Sequence, residues 1–82
     1  MKSLTPAMRE LLCQAALYTA YLDDQTKRAY SGFTDKVQLA ESLERAGLVW
    51  IIKRHEYGGV VNCVTCCITH KGKKALTTGE FR

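Results

Sequence analysis

The sequence predicts a small α+β fold: helices, then a two-stranded β-ribbon, then a short closing helix. Three signals in order carry that prediction. They are a glycine helix stop at Gly47, a Gly58-Gly59 turn between two β-rich runs, and a Thr69 cap that opens a basic helix. The 82 residues form one domain, 1–82, with a small core and limited stability.

Thr5 is placed to cap a first helix, with Pro6 at its first position, where a missing N–H costs nothing. Met8, Leu11, Leu12, Ala15, Thr19 and Leu22 form a helical stripe that should face the core. Asp23-Asp24 ends the helix, because negative charge is unfavourable at a helix C-terminus. Residues 25–33 contain Ala29, Tyr30 and Phe33 and form either a short second helix or an extended turn closed at Ser31-Gly32.

A further amphipathic helix is expected up to residue 46, with Thr34 or Asp35 as its N-cap. Leu39, Ala40, Leu43 and Ala46 lie on one side of the helical wheel. Thr34, Gln38, Glu41, Ser42 and Arg45 lie opposite. Gly47 follows at the position that needs a left-handed backbone, and Leu48 can then pack on Leu43, as in a Schellman ending.

Residues 48–53 and 60–68 are rich in β-branched and aromatic side chains, and Gly58-Gly59 suits a primed two-residue turn. That turn sets Tyr57 opposite Val60, Ile51 opposite Cys66 and Trp50 opposite Cys67. Strict alternation assigns Val49, Ile51, Val64, Cys66 and Ile68 to the core face. It assigns Trp50, Ile52, Val61, Cys63, Thr65 and Cys67 to the other face, which is unusually apolar for a solvent side. Thr69 then caps the closing helix, with His70 at its first position, and residues 77–82 are expected to be loose unless Phe81 docks.

Hydrophobic content of 46% and charged content of 24% are ordinary for a globular chain. No apolar run approaches the roughly 20 residues that span a bilayer. Met1-Lys2-Ser3 leads straight into an amphipathic helix without a signal-peptide pattern. A cytoplasmic protein with no membrane contact is therefore expected. The net charge is +4, and residues 47–82 alone sum to +4. This basic end fits nucleic acid, an acidic protein partner or a plain solvated face.

Cys63-Val-Thr-Cys66-Cys67-Ile-Thr-His70 has the outline of a metal site. Strand alternation, however, sends Cys63 and Cys67 to one face and Cys66 to the other. The expectation is free thiols in a reducing compartment, with no metal and no cofactor. No paired carboxylates, activated nucleophile or phosphate loop is present in the sequence pattern, so an enzyme is not expected.

Leu4-Thr-Pro, Leu43-Glu-Arg-Ala-Gly-Leu-Val49 and Ile68-Thr-His-Lys-Gly-Lys-Lys-Ala-Leu76 together resemble winged helix-turn-helix regulators of the multiple-antibiotic-resistance type. The resemblance covers about three quarters of the chain and departs at residues 23–33, where that family has a clear second helix. An 82-residue winged helix also looks like small prophage or plasmid proteins.

The resemblance implies a DNA-binding transcriptional regulator. Residues 36–45 would enter the major groove, where Thr34, Lys36, Gln38, Ser42 and Arg45 offer contacts. Lys53, Arg54 and His55 on the wing, with Lys71, Lys73 and Lys74 after it, would meet phosphates. Glu41, Asp35 and Glu44 stand near that surface and repel phosphate. The outer side of the first helix presents Cys13, Leu17, Ala20 and Tyr21, which suits a homodimer. The same apolar surfaces suit a protein-interaction module or inhibitor that binds no DNA.

Overall fold

A computed structural model describes residues 1–24 and 31–82. In chain order the elements are β1 (Lys2–Ser3), α1 (Pro6–Asp24), β2 (Phe33–Thr34), α2 (Val37–Arg45), β3 (Val49–Tyr57), β4 (Val60–Ile68), α3 (His70–Thr78) and β5 (Glu80–Phe81). The class is α+β. Strands β2, β4 and β3 form an antiparallel sheet in that order, and β1 pairs with β5 in a two-stranded ribbon.

Helix α1 starts as its residues dictate: Thr5 Oγ1 accepts the Met8 N–H at 3.2 Å, and Pro6 is the first helical residue. Leu11, Leu12 and Ala15 are buried, whereas Leu22, expected in the stripe, is exposed. The helix ends at Asp24, within the expected Asp23-Asp24 stop. Thr19 Oγ1 donates to the Ala15 carbonyl at 2.8 Å and accepts the Ile68 N–H at 2.9 Å, which ties α1 to the end of β4. Among residues 25–33, the expected helix or turn lies outside the described residues up to 30. Beyond it, Phe33 and Thr34 form a strand that was not expected. Phe33 pairs with Thr65 and Thr34 with Val64. Gly32 is needed beside it, because a Cβ there would collide with the Cys66 carbonyl and stand 2.8 Å from the Tyr18 ring.

Helix α2 ends as expected. Gly47 adopts φ 81°, its N–H bonds the Glu44 carbonyl at 2.9 Å, and the Leu48 N–H bonds the Leu43 carbonyl at 2.9 Å. These two bonds define the Schellman motif, and Leu43 and Leu48 are both buried. The start of α2 differs from expectation. Lys36 is the N-cap residue and makes no side-chain capping bond. Thr34 is only 9% exposed and is drawn into the sheet, where its Oγ1 accepts the Lys36 N–H at 3.2 Å. Thr34 is therefore not on the outer face of the helix.

The hairpin turns at Gly58 (φ 60°) and Gly59 (φ 80°), the two positive values that a type I′ turn requires. Tyr57–Val60, Ile51–Cys66 and Trp50–Cys67 pair as the turn predicts. Between them the ladder is not continuous. The register passes over Ile52 in β3 and over Asn62 in β4, so each strand carries one bulge. The stretch between is shifted: Lys53 faces Thr65, Arg54 faces Val64 and His55 faces Cys63. Val64 is buried, so Arg54 shares the core side, and Lys53, His55 and Tyr57 turn outward. Val61, expected on the outer face, packs against the core instead.

Thr69 joins the last two structural units. Its Oγ1 accepts the Gly72 N–H at 3.0 Å and donates to the Gly47 carbonyl at 2.6 Å, so one hydroxyl caps α3 and holds the end of α2. Gly72 is buried where an added Cβ would strike the Leu48 carbonyl. The chain end is not loose: Phe81 is buried, and β5 pairs with β1. Among the described residues, no helix is long and apolar enough to cross a membrane.

Candidate nucleic-acid interface

The exposed side of α2 carries Gln38, Ser42 and Arg45, and the Arg45 guanidinium reaches Ser42 Oγ at 3.4 Å. Ser42 and Arg45 line a surface depression of about 390 Å³ together with Lys2, Ala46, Phe81 and Arg82. A second depression of about 340 Å³ shares Phe81 and Arg82 and adds Lys71 and Lys74 of α3. The two adjoin at Phe81 and Arg82, and Lys2, Arg45, Lys71, Lys74 and Arg82 form a basic rim around them that also holds Glu80. Sequence reasoning missed Lys2, and it counted Arg82 in the basic excess of the chain's end without placing it beside α2. No periodicity marks them, and only the long-range β1–β5 pairing brings them to α2.

The predicted residues separate into groups. Ser42, Arg45, Lys71 and Lys74 come together. Lys73 is exposed on α3, and Lys36 and Gln38 line a shallower depression at the start of α2 with Asp35 and Glu41. Lys71 has a structural task as well. Its Nζ donates to the Ala46 carbonyl at 2.7 Å and to the Arg82 carbonyl at 3.2 Å, which places positive charge on the C-terminus of α2.

The wing cations do not act as one group. Arg54 Nη2 lies 3.2 Å from Glu44 Oε1, while Glu44 Oε2 accepts the Ile51 N–H at 2.9 Å. Glu44 is thereby turned to the sheet and faces a cation of its own, which lessens its repulsion of phosphate. His55 lies on the opposite side of the sheet. Its Nε2 is 3.0 Å from Thr65 Oγ1 and its ring meets Phe33 edge-on at 4.9 Å. Lys53 shares that outer side.

All four cysteines are free. Cys66 points inward and Cys63 and Cys67 outward, and the described residues contain no group of three metal-ligating side chains. Burial, reinforced by Cys67 and Glu44, raises the Cys66 thiol from 9.0 to about 11. On α1, Cys13, Leu17 and Ala20 are exposed, Leu17 at 51%, and Tyr21 is half-buried.

No protein-family description, curated protein or solved structure matches the chain.

Proposed function

We propose that this is a winged-helix protein, a binding protein rather than an enzyme, that attaches to duplex DNA as a small transcriptional regulator. The fold supports the reading through its succession of α2, the β3–β4 ribbon and α3, joined by the Gly47 and Thr69 caps. The observation that carries it is the basic rim of two adjoining depressions, lined by Arg45 of α2, Lys71 and Lys74 of α3, Lys2 and Arg82. Such a rim fits the phosphate backbone, and Arg45 with Gln38 can read base edges. One helix, α2, leads directly into the ribbon, so that helix is the reading element. Two copies joined along Leu17 and Tyr21 of α1 supply the two-fold symmetry of a regulator.

A salt series of duplex-binding measurements tests the reading. Lys74→Ala and Arg82→Ala should weaken all duplexes alike, each lowering the slope of log affinity against log salt by about 0.9. Arg45→Ala should alter sequence preference, at a cost of about 1–3 kcal/mol at a preferred site if Arg45 reads guanine. Absence of duplex binding at low salt leaves the rim to an acidic protein partner, the alternative its charge also supports.

A further inference from the structure

We infer that the outer face of the three-stranded sheet is a stacking platform for single-stranded nucleic acid. Trp50 is 69% exposed, Tyr57 78% and Phe33 44%. Their cross-strand partners show that they share one side: Trp50 faces Cys67, Phe33 faces Thr65 and Tyr57 faces Val60. Lys53 and His55 stand between them on the same side.

The two bulges make this face. A continuous ladder would alternate Lys53, His55 and Tyr57 onto the core side, away from Trp50. Passing over Ile52 instead brings Trp50, Lys53, His55 and Tyr57 to one side of a single strand. His55 is fixed there by Thr65 and by the edge of Phe33, so two of the rings are held in place before any ligand arrives.

The chemistry of the face selects the occupant. Exposed rings of this size leave apolar area in water that a partner would cover. None of the outward positions of this ladder is Asp or Glu, and Lys53 lies in the middle of the rings. A polyanion with planar apolar groups matches both properties, and bases stack on aromatic rings whatever their identity. A duplex keeps its base faces inside its own stack, so the platform takes single strands. The inference does not depend on the duplex reading, which uses the α2 and α3 side of the sheet.

Trp50 is the one tryptophan in the chain and reports directly on its own contacts. Short oligothymidylate and oligouridylate should quench its fluorescence at low salt, whereas a duplex of equal length should leave it unchanged. Trp50→Ala and Tyr57→Ala, both at exposed positions, should each weaken single-strand binding at least about fivefold while thermal unfolding stays as in the wild type. Trp50→Phe should recover most of the loss. Lys53→Ala should lower the salt slope by about 0.7. Trp50→Ala and Tyr57→Ala should leave duplex binding intact, and Lys74→Ala should do the reverse, so the two readings fail separately. The inference is overturned if single strands leave Trp50 fluorescence unchanged, or if folded Trp50→Ala binds them as well as wild type. It is equally overturned if Trp50 is quenched only by a second copy of the chain, as judged from its dependence on protein concentration.

Discussion

The Glu44 carboxylate accepts the Ile51 N–H at 2.9 Å, beside the point where β3 bulges over Ile52. A bulge frees backbone groups from the ladder, and a buried unpaired N–H costs about 1–3 kcal/mol. One acidic side chain from α2 therefore stabilises an irregularity in the neighbouring strand, and its second oxygen holds Arg54 on the same side.

Glu44→Ala should accordingly destabilise the protein by about 1–3 kcal/mol, seen as a lower denaturant midpoint at unchanged slope. Arg54→Ala should cost less than about 1 kcal/mol, because that pair is partly exposed and screened. Equal losses in the two variants would place the main interaction at the ion pair and not at the backbone N–H.

Gly72→Ala should cost about 1–3 kcal/mol even though alanine is the better helix former. The reason is steric: the added methyl would strike the Leu48 carbonyl, a backbone atom that cannot turn aside. A variant as stable as wild type in chemical denaturation would mean that α3 and the start of β3 can separate without cost.

These glycines show what was readable locally. Gly47 and Gly58-Gly59 act within a few residues of themselves, so their caps and turn follow from the chain alone. The bulges at Ile52 and Asn62 were not readable, because neither position is glycine and the shift appears only once both strands are paired. Strand β2 escaped notice for the same reason: it is two residues long and exists through Thr65 and Val64. The candidate site divides likewise. Arg45 and the α3 lysines follow from sequence position, whereas Lys2 and Arg82 reach the rim through pairing of distant segments.

The thiols should react in order of exposure. Iodoacetamide should modify Cys13 first, Cys63 and Cys67 more slowly, and Cys66 only when the protein unfolds, as followed by mass spectrometry. Burial raises the folded thiol of Cys66 to about 11, so the folded state holds its proton where the unfolded state begins to lose it. Its stabilising contribution is present below 9.0 and is lost as the pH rises toward about 11. A melting temperature flat across that window, or matched in slope by Cys66→Ala, contradicts this.

Light scattering should find a dimer at micromolar concentration, and Leu17→Glu should shift it to monomer without lowering intrinsic stability by more than about 0.5 kcal/mol, since Leu17 is exposed in the single chain. A wild-type monomer removes the α1 pairing from the proposed regulator.

The two bulges of this hairpin compensate one another. Because each strand carries one supernumerary residue, the pairing at the turn and the pairing at the base already agree with an unbroken ladder. In that ladder Ile52 would sit opposite Thr65 and His55 opposite Asn62. The pairs at both ends would be the same, but the tip would be turned over relative to Trp50. The contacts of Glu44 with Ile51 and Arg54, and of His55 with Thr65 and Phe33, belong to the bulged threading, which puts Arg54 and His55 on opposite sides. The inner and outer sides of the hairpin's far half are thus set by its two bulges, where five side chains make contact, and not by its length or its turn.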